Sequence, residues 1–387
     1  VSPGSSHRPV ARDMLGHGVR VLVGLTVVAA SLAVDAPLEY TGRCDEPGET
    51  CLITRADNPL PLVELPKYRD NALSFASIGD WGCGPYNCVL KPDPNHISAG
   101  ATQKAVAGVM AQVAEKTGVQ FVLAVGDNFY FHGVQDVNDP LFDSVWRDRF
   151  NQPSMNVPWY VTLGNHDHYG NPEAQIDYSK AGFDKRWILP NYYYTTVRDV
   201  GSNGKQLQLV FVDTVILDEG YGRTLLLEKI REGIVQPEAL ARYDSRFHIR
   251  QKAASEQLLW LEETLAQSTA DWLIVIGHYP VYSGGEHGST FSLVELVKPL
   301  LEKYKVDAYI SGHDHNHQHL QHNGVQYYVS GNGCLRGIVK PLPMMEFGAV
   351  DPGFMHHQVD GDVMITTWID MNGRAIYSHT LKQKRNV

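Results

Sequence analysis

Short apolar runs rich in β-branched and aromatic residues recur along the chain from residue 73 onward. Their length and the turn residues around them are typical of buried strands. Seven runs are predicted as strands: LSFASI (73–78), VQFVLAV (119–125), VPWYVTL (157–163), LQLVFV (207–212), DWLIVI (271–276), VDAYIS (306–311) and VQYYVS (325–330). Near the end of the chain, apolar and polar positions alternate from Val363 to Ile369, and Asn372-Gly373 follows, which predicts an antiparallel hairpin.

Two segments between these strands have helical periodicity. In Ser98–Thr117 the apolar residues Val106, Val109, Met110 and Val113 fall on one face, and Gly118 stands where a C-terminal cap is expected. Ser255–Ala266 is a second predicted helix, placed just before the strand at 271. Strands and helices therefore alternate, which indicates an α/β fold class.

The chain divides by composition into three parts. Residues 1–36 are an N-terminal extension, residues 37–70 are a Pro-rich lead-in segment without a sustained period, and residues 71–387 form one predicted catalytic domain. Within that domain, residues 214–252 are charged and contain no clear strand, so they are the largest predicted insertion. This insertion is either a lid over the site or a solvated surface excursion.

The apolar run VLVGLTVVAASLAV at residues 21–34 follows Arg20 and ends in small residues. This pattern favours a cleaved secretory signal peptide. The alternative, a membrane anchor, needs about 20 apolar residues, and Asp35 interrupts the run. We therefore expect no stable membrane span. We expect the protein to enter the secretory pathway and to be secreted, vacuolar or lysosomal.

Disulfides among the five cysteines are expected if the compartment is oxidising, as the apolar run at residues 21–34 indicates. Cys44/Cys51 and Cys83/Cys88 are spaced as small-loop disulfides, and Cys334 is left over. A zinc site at Cys83 and Cys88 is disfavoured, because no second Cys or His pair completes it.

The formal net charge of −10 and the absence of a long Lys or Arg run exclude an electrostatic footprint for nucleic acid. An anionic membrane surface is disfavoured for the same reason. The expected partners are small-molecule or protein substrates, and the expected oligomeric state is a monomer.

Residues that can bind metal recur at the ends of the predicted strands. Five predicted strands end in Gly followed by a residue that can bind metal: Gly79-Asp80, Gly126-Asp127, Gly164-Asn165, Gly277-His278 and Gly312-His313. Sites form at the carboxyl ends of strands in open α/β sheets, so we expect these residues to converge. Glycine is expected to let the backbone turn tightly there. A shared Asp between two metal ions roughly 3.5–4 Å apart suits phosphoryl transfer.

The motifs GDWG (79–82), GDNFY (126–130), GNHD (164–167), GHYP (277–280) and GHDHN (312–316) resemble those of the mammalian-type, tartrate-resistant purple acid phosphatases. These belong to the calcineurin-like metallophosphoesterase superfamily. The resemblance runs from about Leu73 to Gly337. It implies a two-sheet β-sandwich flanked by helices, built from βαβ units with the metal ligands at strand C-terminal ends.

The resemblance also implies a ligand set. The first ion is held by Asp80, Tyr130 and His315, the second by Asn165, His278 and His313, and Asp127 bridges them. Three anionic donors suit Fe(III) at the first position, and the more neutral second position suits Fe(II), Zn(II) or Mn(II). Tyr130 replaces the His of the Asp-x-His motif that other members of the superfamily carry, because Trp81 and Gly82 follow Asp80.

The activity that follows is acid phosphatase: attack of a metal-bound hydroxide on a phosphate monoester. His166 is expected to protonate the leaving group, and His287 is expected to contact phosphate together with Asn165 and His166. Two alternatives stay open, a Mn- or Zn-dependent phosphodiesterase of the same superfamily and a non-enzymatic secreted binding protein.

Several neighbours of the motifs are expected to act indirectly or not at all. Asp167 is expected to orient its neighbours, and Asp213 to cap the following turn. His317 and His319 alternate with the ligands along a predicted edge strand and are expected to be exposed or hydrogen-bonded without metal. A direct role for His168 or Glu286 is left open.

Overall fold

The computed structural model describes residues 40–41, 52–55, 67, 69–85, 88, 98–202, 204–233 and 247–383. The predicted signal peptide, nearly all of the N-terminal extension and lead-in, and the pair Cys44/Cys51 lie outside these residues. The described helices are α1 Ala99–Thr117, α2 Asn165–His168, α3 Pro172–Ala181, α4 Thr214–Arg231, α5 Phe247–Ala266, α6 Phe291–Leu296 and α7 Lys298–Lys303. None of them is long and apolar enough to span a bilayer.

The strands form two mixed sheets. Those of the nine-stranded sheet, in spatial order, are β1 Tyr40–Thr41, β2 Leu52–Arg55, β13 Met345–Ala349, β11 His317–His322, β12 Val325–Ser330, β10 Ala308–Ser311, β9 Trp272–Ile276, β8 Lys205–Phe211 and β7 Tyr194–Val200. Those of the seven-stranded sheet are β16 Ala375–Lys382, β15 Val363–Asp370, β14 Gly353–Asp360, β3 Leu73–Ile78, β4 Phe121–Val125, β5 Trp159–Thr162 and β6 Trp187–Ile188. The predicted two-sheet α/β class is confirmed.

The two sheets face each other across an apolar core. Phe75 of β3 and Phe121 of β4 stack at 4.8 Å between ring centroids, and they join a cluster with Leu209 of β8 and Ile274 of β9. Helix α1 covers the outer face of the seven-stranded sheet, and α4 to α7 cover the outer face of the other. The alternation of buried residues along the strands supplies both core layers.

Parallel pairing brings the carboxyl ends of several strands to the same edge of each sheet, where the predicted ligands lie. Strands β3, β4 and β5 run parallel in one sheet, and β8, β9, β10 and β12 run parallel in the other. Helix α1 makes the crossover from β3 to β4; Ser98 caps its start by accepting from the Ala101 amide, and Gly118, with φ 66°, ends it.

The described part of segment 214–252 contains no strand, as predicted, but its start does not fit either predicted role. It is largely helical, since it contains α4 and the start of α5, and residues 234–246 lie outside the described part. Val215 and Leu217 of α4 are buried in the core beneath the nine-stranded sheet. The first turns of α4 are therefore neither a lid nor a solvated excursion.

Six described strands are absent from the sequence prediction: β1, β2, β6, β7, β13 and β14. In β14 every residue from Gly353 to Val359 is buried, including the neighbours His356 and His357. The polar residues in this run do not predict a buried strand. The lead-in also contributes, because Leu52–Arg55 pairs with β13.

Candidate metal centre

The five Gly-containing strand ends meet at one edge of the sandwich. Asp80, Asp127 and Asn165 follow β3, β4 and β5 of one sheet, and His278 and His313 follow β9 and β10 of the other. Ligand atoms of Asp80, Asp127 and His278 lie within 4.8 Å of one another, and all three residues are buried. The site thus forms where the carboxyl ends of two parallel strand sets adjoin.

Three of the predicted ligands of the first ion form a tight group. The Tyr130 hydroxyl donates to Asp80 Oδ1 at 3.0 Å and lies 3.0 Å from His315 Nε2. His315 Nε2 is 3.5 Å from the same Asp80 oxygen. Three donor atoms from distant parts of the chain therefore point at one position.

The second group is centred on His278. Its Nε2 lies 3.1 Å from Asn165 Oδ1 and 3.4 Å from Asp127 Oδ1. Its Nδ1 lies 3.0 Å from the Val125 carbonyl, which directs Nε2 toward the centre as the nitrogen that can bind a metal. The His313 ring lies 5.1 Å from the His278 ring between centroids.

The backbone at three of these residues is strained. Asp80, Asp127 and His313 have φ of 56°, 52° and 70°, in the left-handed region that non-glycine residues seldom adopt. Such conformations cost about 1–3 kcal/mol each and cluster at functional sites. The strain turns each side chain sharply from the end of its strand toward the centre.

The glycines before the ligands act mainly through close approach, which differs from the expected tight turn. A Cβ at Gly164 would overlap Asp127 Oδ1, and one at Gly312 would overlap Asp80 Oδ2. Only Gly126, with φ 96°, also needs the conformational freedom of glycine. At Gly164 and Gly312 the missing side chain leaves room for the carboxylate of a ligand that follows another strand.

Electrostatics indicate that the cluster needs added positive charge. Burial, and then the Asp80 and Asp127 carboxylates, raise the pKa of the Tyr130 hydroxyl well above its usual value. Burial alone would lower the pKa of His278, but the carboxylates of Asp127 and Asp80 raise it to about 10. A proton on His278 partly balances the buried carboxylates, and a cation beside them would serve the same purpose.

The donor set fits two metal ions. Carboxylate, amide and phenol oxygens with imidazole nitrogens are donors that hard and borderline cations prefer. The fit rests on the converging Asp80, Tyr130 and His315 atoms, on the inward-facing Nε2 of His278, and on Asp127 beside it. Together they can bind and orient a phosphate ester through two cations.

His166 lies on α2 beside the centre, with its side chain 22% exposed. Its Nδ1 lies 2.7 Å from the Phe131 carbonyl, so that nitrogen carries a proton. The other nitrogen, Nε2, faces the site at 3.9 Å from Asp127 Oδ2. The ring is oriented so that Nε2 can hold or release a proton toward a bound ligand.

His287 also reaches the site, and its partner Asp314 is absent from the sequence prediction. The His287 ring lies 4.1 Å from that of His313, and its Nδ1 is 3.0 Å from Asp314 Oδ1. The hydrogen bond to buried Asp314 is the main cause of a raised pKa at His287. A signal was available in GHDHN, where Asp314 stands between two ligands, but its direction could not be read from the sequence.

Asp167 holds the turn that carries Asn165 and His166. Its Oδ2 accepts from the Gly164 amide at 2.8 Å and from Asn128, and its Oδ1 accepts from Gln175 at 2.8 Å. The expected orienting role agrees with these contacts.

His168 points away from the centre into a buried polar group. Its Nε2 lies 2.7 Å from Asp213 Oδ2, and its Nδ1 lies 3.2 Å from Arg250. Asp213 caps α4 as expected, by accepting from the Ile216 amide at 2.9 Å. These contacts tie α2 to α4 and α5, and Glu286 lies exposed on the loop before His287.

The prediction for His317 and His319 is wrong in its placement. Strand β11 lies between β12 and β13 rather than at an edge, and both side chains are buried. His319 lies 2.9 Å from the Tyr377 hydroxyl and 2.8 Å from Gln326 Oε1. The expected hydrogen bonding of His319 is correct, and neither ring joins the metal cluster.

The disulfide between Cys83 and Cys88 is present, and Cys334 is free and buried. The Cys334 thiol donates to the Asp80 carbonyl at 3.0 Å. The disulfide confirms the prediction from the cysteine spacing, and the Cys334 contact at Asp80 was not predicted.

Comparison with known proteins agrees with this geometry. Residues 73–317 match the family described as calcineurin-like phosphoesterase. The chain is 36% identical to tartrate-resistant acid phosphatase type 5 of Homo sapiens over 340 residues, covering 84% of this chain and 96% of the relative. It is 34% identical to purple acid phosphatase 7 of Arabidopsis thaliana, covering 83% and 89%.

Solved structures show the same fold. The GAP50 anchor of the inner membrane complex of Plasmodium superposes with a TM-score of 0.65 at 26% identity, covering 81% of this chain and 90% of that one. Purple acid phosphatase PPD1 of yellow lupin superposes with a TM-score of 0.55 at 16% identity, covering 86% and 59%. With its motifs at the strand ends, the chain belongs to the calcineurin-like phosphoesterase family and, within it, to the purple acid phosphatases.

Proposed function

We propose that the protein is an acid phosphatase that hydrolyses phosphate monoesters at a dinuclear metal centre. The proposal is supported by the contacts that link the seven expected ligands at one edge of the sandwich, in a chain 36% identical to a tartrate-resistant acid phosphatase. The ligands are Asp80, Asp127, Tyr130, Asn165, His278, His313 and His315.

The charges of the two groups support unequal metals. Asp80, Tyr130 and the shared Asp127 place three anionic donors around the first position, which suits Fe(III). The second position has the neutral donors Asn165, His278 and His313 besides Asp127, which suits Fe(II), Zn(II) or Mn(II). Because burial raises the pKa of Tyr130, its ionisation needs a strongly polarising cation, and this supports a trivalent ion there.

When bound, the two cations supply Lewis acidity that activates water and neutralises charge on the phosphoryl oxygens. The side chain that handles the leaving group is His166. Its Nδ1 is held by the Phe131 carbonyl, so a proton on Nε2 is directed toward the ester oxygen that departs. This role requires the imidazolium, which is favoured at acidic pH.

His287 and Asp314 form the second part of the substrate site. Asp314 favours the protonated form of His287 through the 3.0 Å contact, so the ring presents positive charge beside His313. That charge is suited to bind a phosphoryl oxygen. Asn165 and His166 complete the set that contacts phosphate.

Two other functions are weighed against this one. A Mn- or Zn-dependent phosphodiesterase is disfavoured, since Gly82 stands where an Asp-x-His motif beginning at Asp80 would have its His, and Tyr130 contacts Asp80 instead. A binding role has one observation in its favour, the similarity to a Plasmodium protein described as an anchor. The complete donor set and the oriented His166 favour catalysis.

We propose that the protein enters the secretory pathway and is secreted, vacuolar or lysosomal. The Cys83–Cys88 disulfide supports an oxidising compartment. We further propose that the protein acts as a monomer.

The test is a visible spectrum and metal analysis of the purified protein, followed by hydrolysis of 4-nitrophenyl phosphate across pH. We expect iron with a second metal, a visible absorption band from Tyr130 bound to Fe(III), and faster turnover at acidic pH. A colourless enzyme that contains only zinc or manganese would refute the iron assignment. A metal-replete protein without turnover would favour the binding role.

A further inference from the structure

Tyr169 is a large aromatic side chain exposed beside the centre. It is 60% exposed, although it directly follows the helix that carries Asn165 and His166. A single exposed aromatic residue is common on protein surfaces and carries no inference alone. Its position against His166 is what distinguishes this one.

The ring of Tyr169 lies edge-on to that of His166, with 5.2 Å between centroids and 75° between planes. Phe131 lies on the same imidazole at 5.6 Å and 65°, and Tyr130 lies at 4.5 Å. His166 is therefore enclosed by aromatic rings, of which Tyr169 is the most exposed to solvent.

The hydroxyl of Tyr169 does not account for this placement. It lies 3.4 Å from Asn165 Nδ2, a distance at which a hydrogen bond is weak. Most of the ring remains available to a ligand.

We propose that Tyr169 is a specificity-determining residue that packs against the leaving group and favours aryl over alkyl phosphate monoesters. The inference rests on the proposed function. If His166 Nε2 protonates the departing oxygen, that oxygen lies within hydrogen-bond reach of it. The group attached to the oxygen then leaves the centre on the solvent side of His166, where the exposed Tyr169 ring stands. A flat aromatic group gains offset or edge-to-face contact there, and a small polyol does not.

The test compares phenyl phosphate with glycerol 2-phosphate on the metal-loaded enzyme and its variants. We expect Tyr169→Ala to raise the KM for phenyl phosphate roughly threefold to tenfold more than the KM for glycerol 2-phosphate, the range typical of one aromatic pair. We expect this contact to be equally strong in the ground state and the transition state, so the ratio of kcat values for the two esters should be retained. Tyr169→Phe should retain the aryl preference because it keeps the ring.

Phe183 offers a matched control, since it is 52% exposed and contacts Tyr178 rather than the centre. Phe183→Ala should leave both KM values unchanged. Competitive inhibition adds a measurement that needs no proton transfer. Tyr169→Ala should weaken the binding of phenylphosphonate more than the binding of methylphosphonate.

Equal losses on both esters with Tyr169→Ala would overturn the inference, because they would mean that Tyr169 only supports Asn165. An unchanged KM for phenyl phosphate would also overturn it. A wild-type enzyme that hydrolyses neither ester would instead refute the proposed function. A selective loss of binding for the aryl ester and for phenylphosphonate would support the inference about Tyr169.

Discussion

Buried histidines in the sandwich should make the folded state sensitive to acid. His356 lies on β14, is fully enclosed, and has Nε2 3.0 Å from the Ser74 hydroxyl. Burial lowers its pKa from 6.5 to about 3. His319 on β11 has a pKa lowered to about 3 for the same main reason.

The sign of the pH dependence of stability follows from comparing the pKa of each histidine in the folded and the unfolded state. The unfolded chain protonates these histidines below pH 6.5, whereas the folded chain keeps them neutral until about pH 3. The unfolded state therefore binds more protons in this window, and stability falls as pH falls. At pH 5 the loss relative to neutral pH is about 2 kcal/mol for each of the two histidines.

The assay is urea unfolding of the metal-loaded protein, followed by tryptophan fluorescence, at pH values from 7.5 to 5. His356→Gln should unfold with a smaller dependence on pH, and the difference from wild type should be about 2 kcal/mol over this range. Because both proteins share every other titrating group, the difference isolates His356. His132→Gln, at an exposed position, is the control and should follow the wild-type pH dependence.

Identical pH dependence for wild type and His356→Gln would refute the reasoning. It would mean that His356 is protonated in the folded state, so that burial does not exclude the charge.

Three further predictions concern the centre. Tyr130→Phe should remove the visible band while far-UV circular dichroism remains native, and a surviving band would mean that another residue binds the iron. His166→Ala should slow alkyl phosphates at least tenfold more than 4-nitrophenyl phosphate, whose leaving group needs little protonation; equal losses in kcat would contradict the acid role. Gly164→Ala should displace Asp127 and lower the bound metal measured by elemental analysis, and full metal content with wild-type activity would show that the Cβ is accommodated.

The location of the site was predictable from the sequence because its signal is local. A strand is recognised by its apolar run, and Gly-Asp or Gly-His directly after it marks the strand end, as at Asp80 and His278. The helix at Ser98–Thr117 was predictable for the same reason, since its cap and its apolar face lie within one short segment.

Strands β14 and β11 carry polar residues whose burial depends on distant partners. In β14, His357 is buried because Ser77 of β3 lies 2.8 Å from its Nε2 and Thr366 of β15 lies 2.9 Å from its Nδ1. His319 is similarly enclosed through Gln326 and Tyr377. No periodic pattern in the sequence reports a hydrogen bond to another strand, so the burial of these two histidines could not be predicted.

The sequence by itself determined the α/β class, the strand ends that carry the ligands, and the family, because each depends on residues close together in the chain. Only the tertiary structure decided which side chains surround those ligands. It brought Asp314 to His287, Tyr169 to the outer side of His166, and Asp127 into the space left by Gly164. The physical reason is that such contacts depend on how two sheets and their loops pack in space, and sequence separation carries little information about that packing.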